Sequence, residues 1–522
     1  MEILRRLKFN SSFSVRIRKR HTHGPDHWSI LKKKITPKDK ALAHFDDLYK
    51  SIYGSSWSSI RSCLLKENHK YIAVVNNFTE SEEIIEKLKL LGAMNLRDLY
   101  EVHKRNQEER NARNLEKNIP KKKGKFENND ENEFSDKSIK RKLEYKTESE
   151  IQSLLPENFE AAKQSLSPRV KKNDEEEPDF PNEKPLDPIE VTSIEKDVEI
   201  ASPEINRIIK PSSGLTSSAL FEYIPATKIK GLDDYVLESE HYNYYTEAAD
   251  FEIKVEKESF LNFPEHLKPF TFDTGCNSSF PSPRRTQMET FDYYLLDGAS
   301  ILPVLALDLK AGDRVLDMCA APGGKSLVAL QTLLPHLLVA NDVKHKRLNH
   351  VHRVMEEYLG SLDYSVGKLY LTNQDARDIN DPNIFNKILV DVPCTTDRHM
   401  VMEDDNNWFK PGRTKERLRL PELQTEILMQ ALKIVTLGGT VVYSTCTLSP
   451  IQNEGVVQLA LKKCFEENGI TMIVKNMEEG LAPLRFLYTF GDKHGFKYGH
   501  IILPTPQNNW GPMYFCKMIR VK

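Results

Sequence analysis

One stretch restricts the fold of this 522-residue chain more than any other: Arg314-Val-Leu-Asp-Met-Cys-Ala-Ala-Pro-Gly-Gly-Lys-Ser326. Arg314 to Met318 predicts a short buried strand, and Ser326 to Leu334 predicts an apolar-periodic helix. Between them stand only small residues, Ala320, Ala321, Pro322, Gly323 and Gly324. A strand that turns through glycines into a helix lets backbone N–H groups approach a ligand in the crevice beyond the strand ends. A Walker phosphate loop requires glycine five residues before Gly324, where Cys319 stands, and the dinucleotide pattern G-x-G-x-x-G is absent. The turn therefore reads as a nucleotide-like cofactor site whose ligand need not carry phosphates.

Two acids extend this reading. Leu337 to Asn341 is an apolar run closed by Asp342, placed to hydrogen-bond a ribose diol. Asp375, in Asn373-Gln-Asp-Ala-Arg377, follows the strand predicted at Leu369 to Leu371 and is placed to accept from an adenine amine. Either carboxylate alone is equally well explained as a helix cap or a solvated loop residue. In register on successive strand ends, they point to ribose and adenine, and without phosphate recognition to S-adenosylmethionine.

Two cysteines bear on the chemistry. Lys387-Ile-Leu-Val-Asp-Val-Pro-Cys394 and Gly439-Thr-Val-Val-Tyr-Ser-Thr-Cys446 both read as buried strands ending in a thiol on the cofactor side of one parallel sheet. A lone cysteine is usually a small buried hydrophobe. A Pro-Cys and a Thr-Cys at neighbouring strand ends facing one cofactor make that reading a poor account of both.

Cys319-Ala-Ala-Pro-Gly-Gly-Lys325, Asp391-Val-Pro-Cys394 and Ser444-Thr-Cys446, in this order, resemble the NSUN family of RNA cytosine-5 methyltransferases. The likeness covers about Phe270 to Lys522. Around Thr395-Thr-Asp-Arg-His399, Asn406-Asn-Trp-Phe409 and Gly511-Pro-Met-Tyr-Phe-Cys-Lys517 it is nearest to the mitochondrial ribosomal-RNA branch. The resemblance implies that Cys446 attacks C6 of cytosine, giving C5 the carbanion character it needs, and that Cys394 assists elimination. Cytosine-5 DNA methyltransferases attack with a Pro-Cys thiol, so sequence logic alone leaves the two roles exchangeable. The resemblance also implies that Asp391 meets the cytosine edge and that Lys325 stabilises charge beside it. It assigns cofactor binding to Cys319, Ala320, Pro322, Gly323, Gly324, Lys325, Ser326, Leu327, Val328 and Ala329. Asp342 and Arg347 would hold the ribose, Asp375 and Ala376 the adenine, and Asp391 the reactive end. It implies RNA as substrate, mitochondrial ribosomal RNA first, and as partner a helical-repeat protein of the mitochondrial transcription-termination-factor family. No metal is implied.

The rest of the chain sets the domain plan. Residues 1–25 carry Arg5, Arg6, Lys8, Arg16, Arg18, Lys19 and Arg20 among serines, with Glu2 the only acid, which is the pattern of a mitochondrial transit peptide and predicts a matrix location. A basic RNA-binding arm is the competing reading. Helical spacing of Ala41, Leu42, Phe45, Leu48, Tyr49 and Ile52, then Trp57 to Leu65 and Ser81 to Leu91, predicts a small helical region at 37–102 that packs on the catalytic domain or meets RNA or a partner. Residues 103–207, rich in charge and proline, read as a disordered insertion, and 208–269 as a linker without periodicity. From 270 to 522, alternating strands and helices predict an α/β domain with a seven-stranded, Rossmann-like methyltransferase sheet. A net charge of -2 excludes a global basic field, so an RNA surface must be local. Seven cysteines without a C-x-x-C pair argue against a zinc module or disulfide scaffold. No apolar run approaches the roughly 20 residues that span a bilayer. The motifs do not separate ribosomal from transfer RNA, nor catalysis from a binding role in ribosome assembly.

Overall fold

The computed structural model describes residues 35–67, 70–118, 251–276, 278–360 and 368–522. The leader expected at 1–25 and most of the insertion and linker lie outside the described residues. The chain divides into two units, Met1–Asn111 with Ile209–Lys522, and Ala112–Ile208. Both sheets and every candidate site residue belong to the first unit.

Helix α1 (Pro37–Tyr53) begins with a capping box. Thr36 Oγ1 accepts from the Asp39 amide at 3.2 Å, and the Asp39 carboxylate accepts from the Thr36 amide at 2.9 Å. Ala41, Phe45, Leu48, Tyr49 and Tyr53 form its buried stripe. Helix α2 (Ser56–Leu64) continues the same face with Trp57, Ile60 and Leu64. Strand β1 (Tyr71–Val75), helix α3 (Ser81–Leu90), strand β2 (Met94–Asn95) and helix α4 (Leu96–Asn118) complete this part. The N-terminal region is thus not purely helical, as its periodicity implied. Tyr-Ile-Ala-Val-Val is a strand because two segments some 200 residues further on supply its edges. Helix α4 also runs beyond His103, the expected start of the insertion, because buried Leu96 and Tyr100 anchor its first turns.

Strand β3 (Val255–Lys257) precedes β4 (Pro269–Thr271) and β5 (Tyr293–Asp297). These last two flank β1 antiparallel, giving a four-stranded sheet in the order β2-β4-β1-β5. Helix α5 (Leu302–Ala306) leads into the main sheet. Its elements are β6 (Arg314–Asp317), α6 (Gly324–Gln331), β7 (Leu337–Asn341), α7 (His345–Leu359), β8 (Leu369–Thr372) and β9 (Lys387–Asp391). Then come α8 (Asp397–Met402), α9 (Thr414–Leu418), α10 (Leu420–Ile434), β10 (Thr440–Thr445), α11 (Val456–Asn468), β11 (Met472–Asn476), α12 (Glu478–Leu481), β12 (His500–Ile502) and β13 (Met513–Arg520). The helix expected at 416–435 is divided at Arg419, with Pro421, which has no N–H to donate, in the first turn of α10.

The main sheet runs β3-β11-β13-β10-β9-β6-β7-β8, with β12 on β13, nine strands in all. The expected strands are β6 to β10 with β12 and β13, and β3 and β11 extend the sheet beyond β13. Strands β10, β9, β6, β7 and β8 pair in parallel, while β13 lies antiparallel between β10 and β11. Successive residues face opposite cores. Leu316, Ile388, Val390, Val441 and Tyr443 meet α1, α2, α10 and α11, whereas Val315, Leu389 and Val442 meet α5, α6 and α7. The chain order reverses between β6 and β9, and this switch point opens a crevice at the carboxyl strand ends. Among the described residues no helix is long and apolar enough to cross a membrane, and no group of acids, histidines and cysteines could hold a metal ion.

Candidate active site

The glycine turn leaves β6 at Asp317 and is laced to its neighbour. Ala320 N donates to Asn341 O at 2.7 Å, and Asn341 Nδ2 donates to Met318 O at 3.1 Å. Gly323 has φ of 107°, a left-handed value that favours glycine, and its amide closes a tight turn on Ala320 O at 2.7 Å. A Cβ on Gly324 would lie 3.1 Å from the Tyr294 hydroxyl, so the helix start lies close against β5. Leu327, Val328 and Ala329 are buried core residues beneath the turn, and Pro322 is exposed at its rim. Cys319 is held as a thiol, its pKa pushed well up by burial and by the charges of Asp317, Asp342 and Asp391.

Three acids stand at successive strand ends. Asp342, after β7, is 1% exposed; its Oδ1 accepts from Lys344 N at 2.9 Å. Its Oδ2 has no hydrogen-bond partner, although Arg347 Nη1 approaches to 3.2 Å. Arg347 also braces the glycine turn through Ala321 O at 2.8 Å. Asp375, after β8, is bound twice by the Arg377 guanidinium and accepts its amide, which together hold its carboxyl below the usual range. Ala376 beside it is buried. Asp391 ends β9. Its Oδ2 accepts from Lys325 Nζ at 2.8 Å and its Oδ1 from Ser444 Oγ at 2.7 Å. Burial works against the Lys325 ammonium, but the Asp391 charge and hydrogen bond, with Cys446 and Asp317 behind them, outweigh it and raise its pKa.

Asp317, which closes β6, is a site residue that the sequence motifs did not single out. Ser326 Oγ donates to its Oδ2 at 2.5 Å, while Oδ1 is buried without a partner. Burial, reinforced by Asp391, pushes this carboxyl up to about 7 against the pull of Ser326 and Lys325. An acid closing an apolar strand was the available signal, obscured by the glycine turn behind it.

The thiols meet. Cys394 Sγ lies 3.1 Å from Cys446 Sγ and accepts from the Cys446 amide at 3.3 Å. Thr396 Oγ1, on a residue with φ of 49°, is 3.8 Å from the first thiol and 3.6 Å from the second. Neither cysteine is in a disulfide. The two thiols titrate as a pair. The Cys446 thiol and amide lower the Cys394 pKa despite burial, and Cys394 in turn, with burial, raises that of Cys446. The arrangement therefore favours ionisation at Cys394 over ionisation at Cys446.

The donor set fits S-adenosylmethionine. Asp317 Oδ1, buried without a partner, and Asp342 Oδ2, buried without a hydrogen bond beside the Arg347 guanidinium, match the ammonium and ribose hydroxyls of that molecule, and buried acceptors left without hydrogen bonds are costly unless a ligand supplies the donor. Fold and site together define an S-adenosylmethionine-dependent methyltransferase.

Comparison with known proteins narrows the class. Residues 304–501 match the family described as 16S rRNA methyltransferase RsmB/F. The chain is 33% identical over 495 residues to the 5-cytosine rRNA methyltransferase nsun-4 of Caenorhabditis elegans, covering 93% of both proteins. It is 44% identical over 258 residues to the 5-cytosine rRNA methyltransferase NSUN4 of Xenopus tropicalis, over 49% of this chain and 63% of that one. To the mitochondrial tRNA (cytosine(34)-C(5))-methyltransferase of Danio rerio it is 39% identical over 241 residues, 44% of this chain and 61% of that one. A solved structure, NSun6 from Pyrococcus horikoshii with SFG, aligns over 47% of this chain and 57% of that one, at 25% identity and a TM-score of 0.37. The chain belongs to the NSUN family of RNA cytosine-5 methyltransferases.

Proposed function

We propose that this protein methylates C5 of a cytosine in mitochondrial small-subunit ribosomal RNA through a covalent bond between Cys446 Sγ and C6, and acts in mitochondrial ribosome assembly. One observation carries the chemistry: two free thiols 3.1 Å apart on neighbouring parallel strand ends, beside the Lys325–Asp391 pair. S-adenosylmethionine, when bound, supplies the electrophilic methyl group. Asp317 would receive its ammonium, Asp342 with Arg347 its ribose and Asp375 with Ala376 its adenine, while Arg347 braces the glycine turn at Ala321. Cys446 passes its proton to the neighbouring Cys394 and adds to C6, moving electron density to C5. After transfer, Cys394 gives that proton up to solvent and, as a thiolate, takes the proton from C5, while the C6–S bond breaks and its electron pair returns to Cys446 Sγ. Asp391, held by Lys325 and Ser444, faces the polar edge of the base and keeps it in register for attack. The base must be unstacked to enter such a crevice.

Ribosomal RNA is favoured because the nematode relative that matches along 93% of its length carries that name. Transfer RNA is the second reading, favoured by the match to the zebrafish mitochondrial enzyme. The basic residues of 1–25 support import into the mitochondrial matrix, and a helical-repeat partner of the transcription-termination-factor family would supply RNA contacts that a net charge of -2 does not. The test is to incubate the chain with labelled S-adenosylmethionine and mitochondrial RNA, with and without that partner, and to map 5-methylcytosine. Cys394→Ala should accumulate a denaturation-resistant RNA adduct, and Cys446→Ala should give neither adduct nor product. The reverse pattern would exchange the two thiols, and product on transfer RNA alone would change the substrate. A Cys446→Ala strain with normal mitochondrial ribosomes would place the assembly role in binding.

A further inference from the structure

Asp397, at the start of α8, is fully buried. Its Oδ1 accepts from Thr395 Oγ1 at 2.9 Å and from Thr447 Oγ1 at 2.8 Å. Its Oδ2 accepts from Leu448 N at 2.7 Å and from Tyr49 Oη at 2.8 Å. Thr395 follows Cys394 and Thr447 follows Cys446, and their hydroxyls lie 2.9 Å apart. One carboxylate thus grips the residue after each thiol. Four donors converge on its two oxygens, an arrangement matched to an acceptor-only group.

The fourth donor comes from far along the chain. Tyr49 lies on α1, 348 residues before Asp397. One turn on, Tyr53 Oη donates to Leu448 O at 2.8 Å, and Arg398 Nη1 donates to Cys63 O in the last turn of α2 at 2.9 Å. Helices α1 and α2 therefore hold both thiol loops from one side. Burying a carboxylate costs several kcal/mol unless its hydrogen bonds are complete. Packing requires no charge here, since apolar residues could fill the same volume. What the acid adds is a fixed distance between two loops that also meet through the thiols, Thr396, the Thr395–Thr447 hydroxyl pair and the side chain of Gln452, which pairs with Thr395 at 3.1 Å.

We propose that Asp397 is a positioning residue for methyl transfer, setting the separation of the Cys394 and Cys446 thiols, and that Tyr49 makes this setting depend on the N-terminal helix. The inference rests on the thiol roles proposed above.

The test uses the full chain as wild type, Asp397→Asn, Tyr49→Phe and Cys446→Ala. Asp397→Asn keeps the shape but replaces one acceptor oxygen and the charge with an amide donor. It should lower kcat about a hundredfold, the loss expected of a misplacement near 1 Å, with KM for RNA and S-adenosylmethionine within about twofold of wild type. Tyr49→Phe, which removes one hydroxyl, should lower kcat about tenfold with the same unchanged KM values. Alkylation of Cys394 by iodoacetamide at fixed neutral pH should slow in both, because the thiol-to-thiol hydrogen bond requires the native separation. If Asp397→Asn does not fold, Tyr49→Phe decides. Wild-type kcat and alkylation in Tyr49→Phe, or raised KM with unchanged kcat, would overturn the proposal. An active Cys446→Ala overturns the thiol roles and this inference with them, whereas an inactive Cys446→Ala beside a fully active Asp397→Asn overturns this inference alone.

Discussion

Lys325 Nζ donates to Asp391 Oδ2 at 2.8 Å, joining the helix after β6 to the end of β9 across the cofactor crevice. The lysine side chain is 12% exposed and the aspartate 26%, so the pair is partly shielded from water. It joins the cradle that would hold the methyl donor to the acid that would face the base.

Lys325→Met should lower kcat about a hundredfold, the usual loss when one preorganised charged donor is removed. Because Asp391 and its neighbours raise the Lys325 pKa, the ammonium persists up to and beyond the ordinary lysine range. Its contribution is present below the unfolded value and is lost only as pH rises through the raised native one. The wild-type pH–rate profile should therefore show no fall traceable to Lys325 below about pH 10. A fall near neutrality that Lys325→Arg removes would contradict this.

Cys446→Ala should move the alkylation midpoint of Cys394 to higher pH. The Cys446 thiol is the chief group lowering the Cys394 pKa, and burial, which opposes ionisation, remains after it is removed. Iodoacetamide labelling followed by mass spectrometry across pH checks this. An unchanged midpoint would mean that the two thiols do not share a proton in solution.

Asp317→Asn should stabilise the cofactor-free protein at alkaline pH. The native carboxyl keeps its proton up to about 7, whereas the unfolded one releases it near 3.8, so wild-type stability falls as pH rises between those values. Each unit crossed in that window costs the wild type at most about 1.4 kcal/mol. Urea titrations at pH 5 and pH 8 should show the variant gaining relative to wild type at the higher pH. The same substitution should weaken S-adenosylmethionine binding by about tenfold or more, since a charged acceptor is lost.

Gly323→Ala should destabilise the fold by about 1–2 kcal/mol, because φ of 107° is strained for any residue with a Cβ. Its Cβ would also lie 3.4 Å from Val351 Cγ1. Gly412→Ala, whose Cβ would meet nothing within 4 Å, is the matched control. Thermal melts of the two variants should separate by a few degrees.

The central sheet strands were legible because each is an apolar run closed by a polar or small residue. Helix α7 matches its expected span of 345–359, and β10 its span of 440–445. Strand β1 was not legible, since five apolar residues between helices do not reveal edges 200 residues away. Asp397 was visible only as part of a motif. Its burial and four donors arise from three segments that no local pattern connects.

The sequence by itself determined the alternation of strand and helix, the glycine turn, and the residue types at the strand ends, because hydrophobic period and turn chemistry act over a few residues. Only the tertiary structure decided that the Cys394 and Cys446 thiols lie 3.1 Å apart, that Asp317 has an unpaired buried oxygen, and that helix α1 reaches the thiol loops. Each of these depends on burial and on distances between segments far apart in the chain, and those are fixed only when β6, β9 and β10 lie side by side and α1 packs across them.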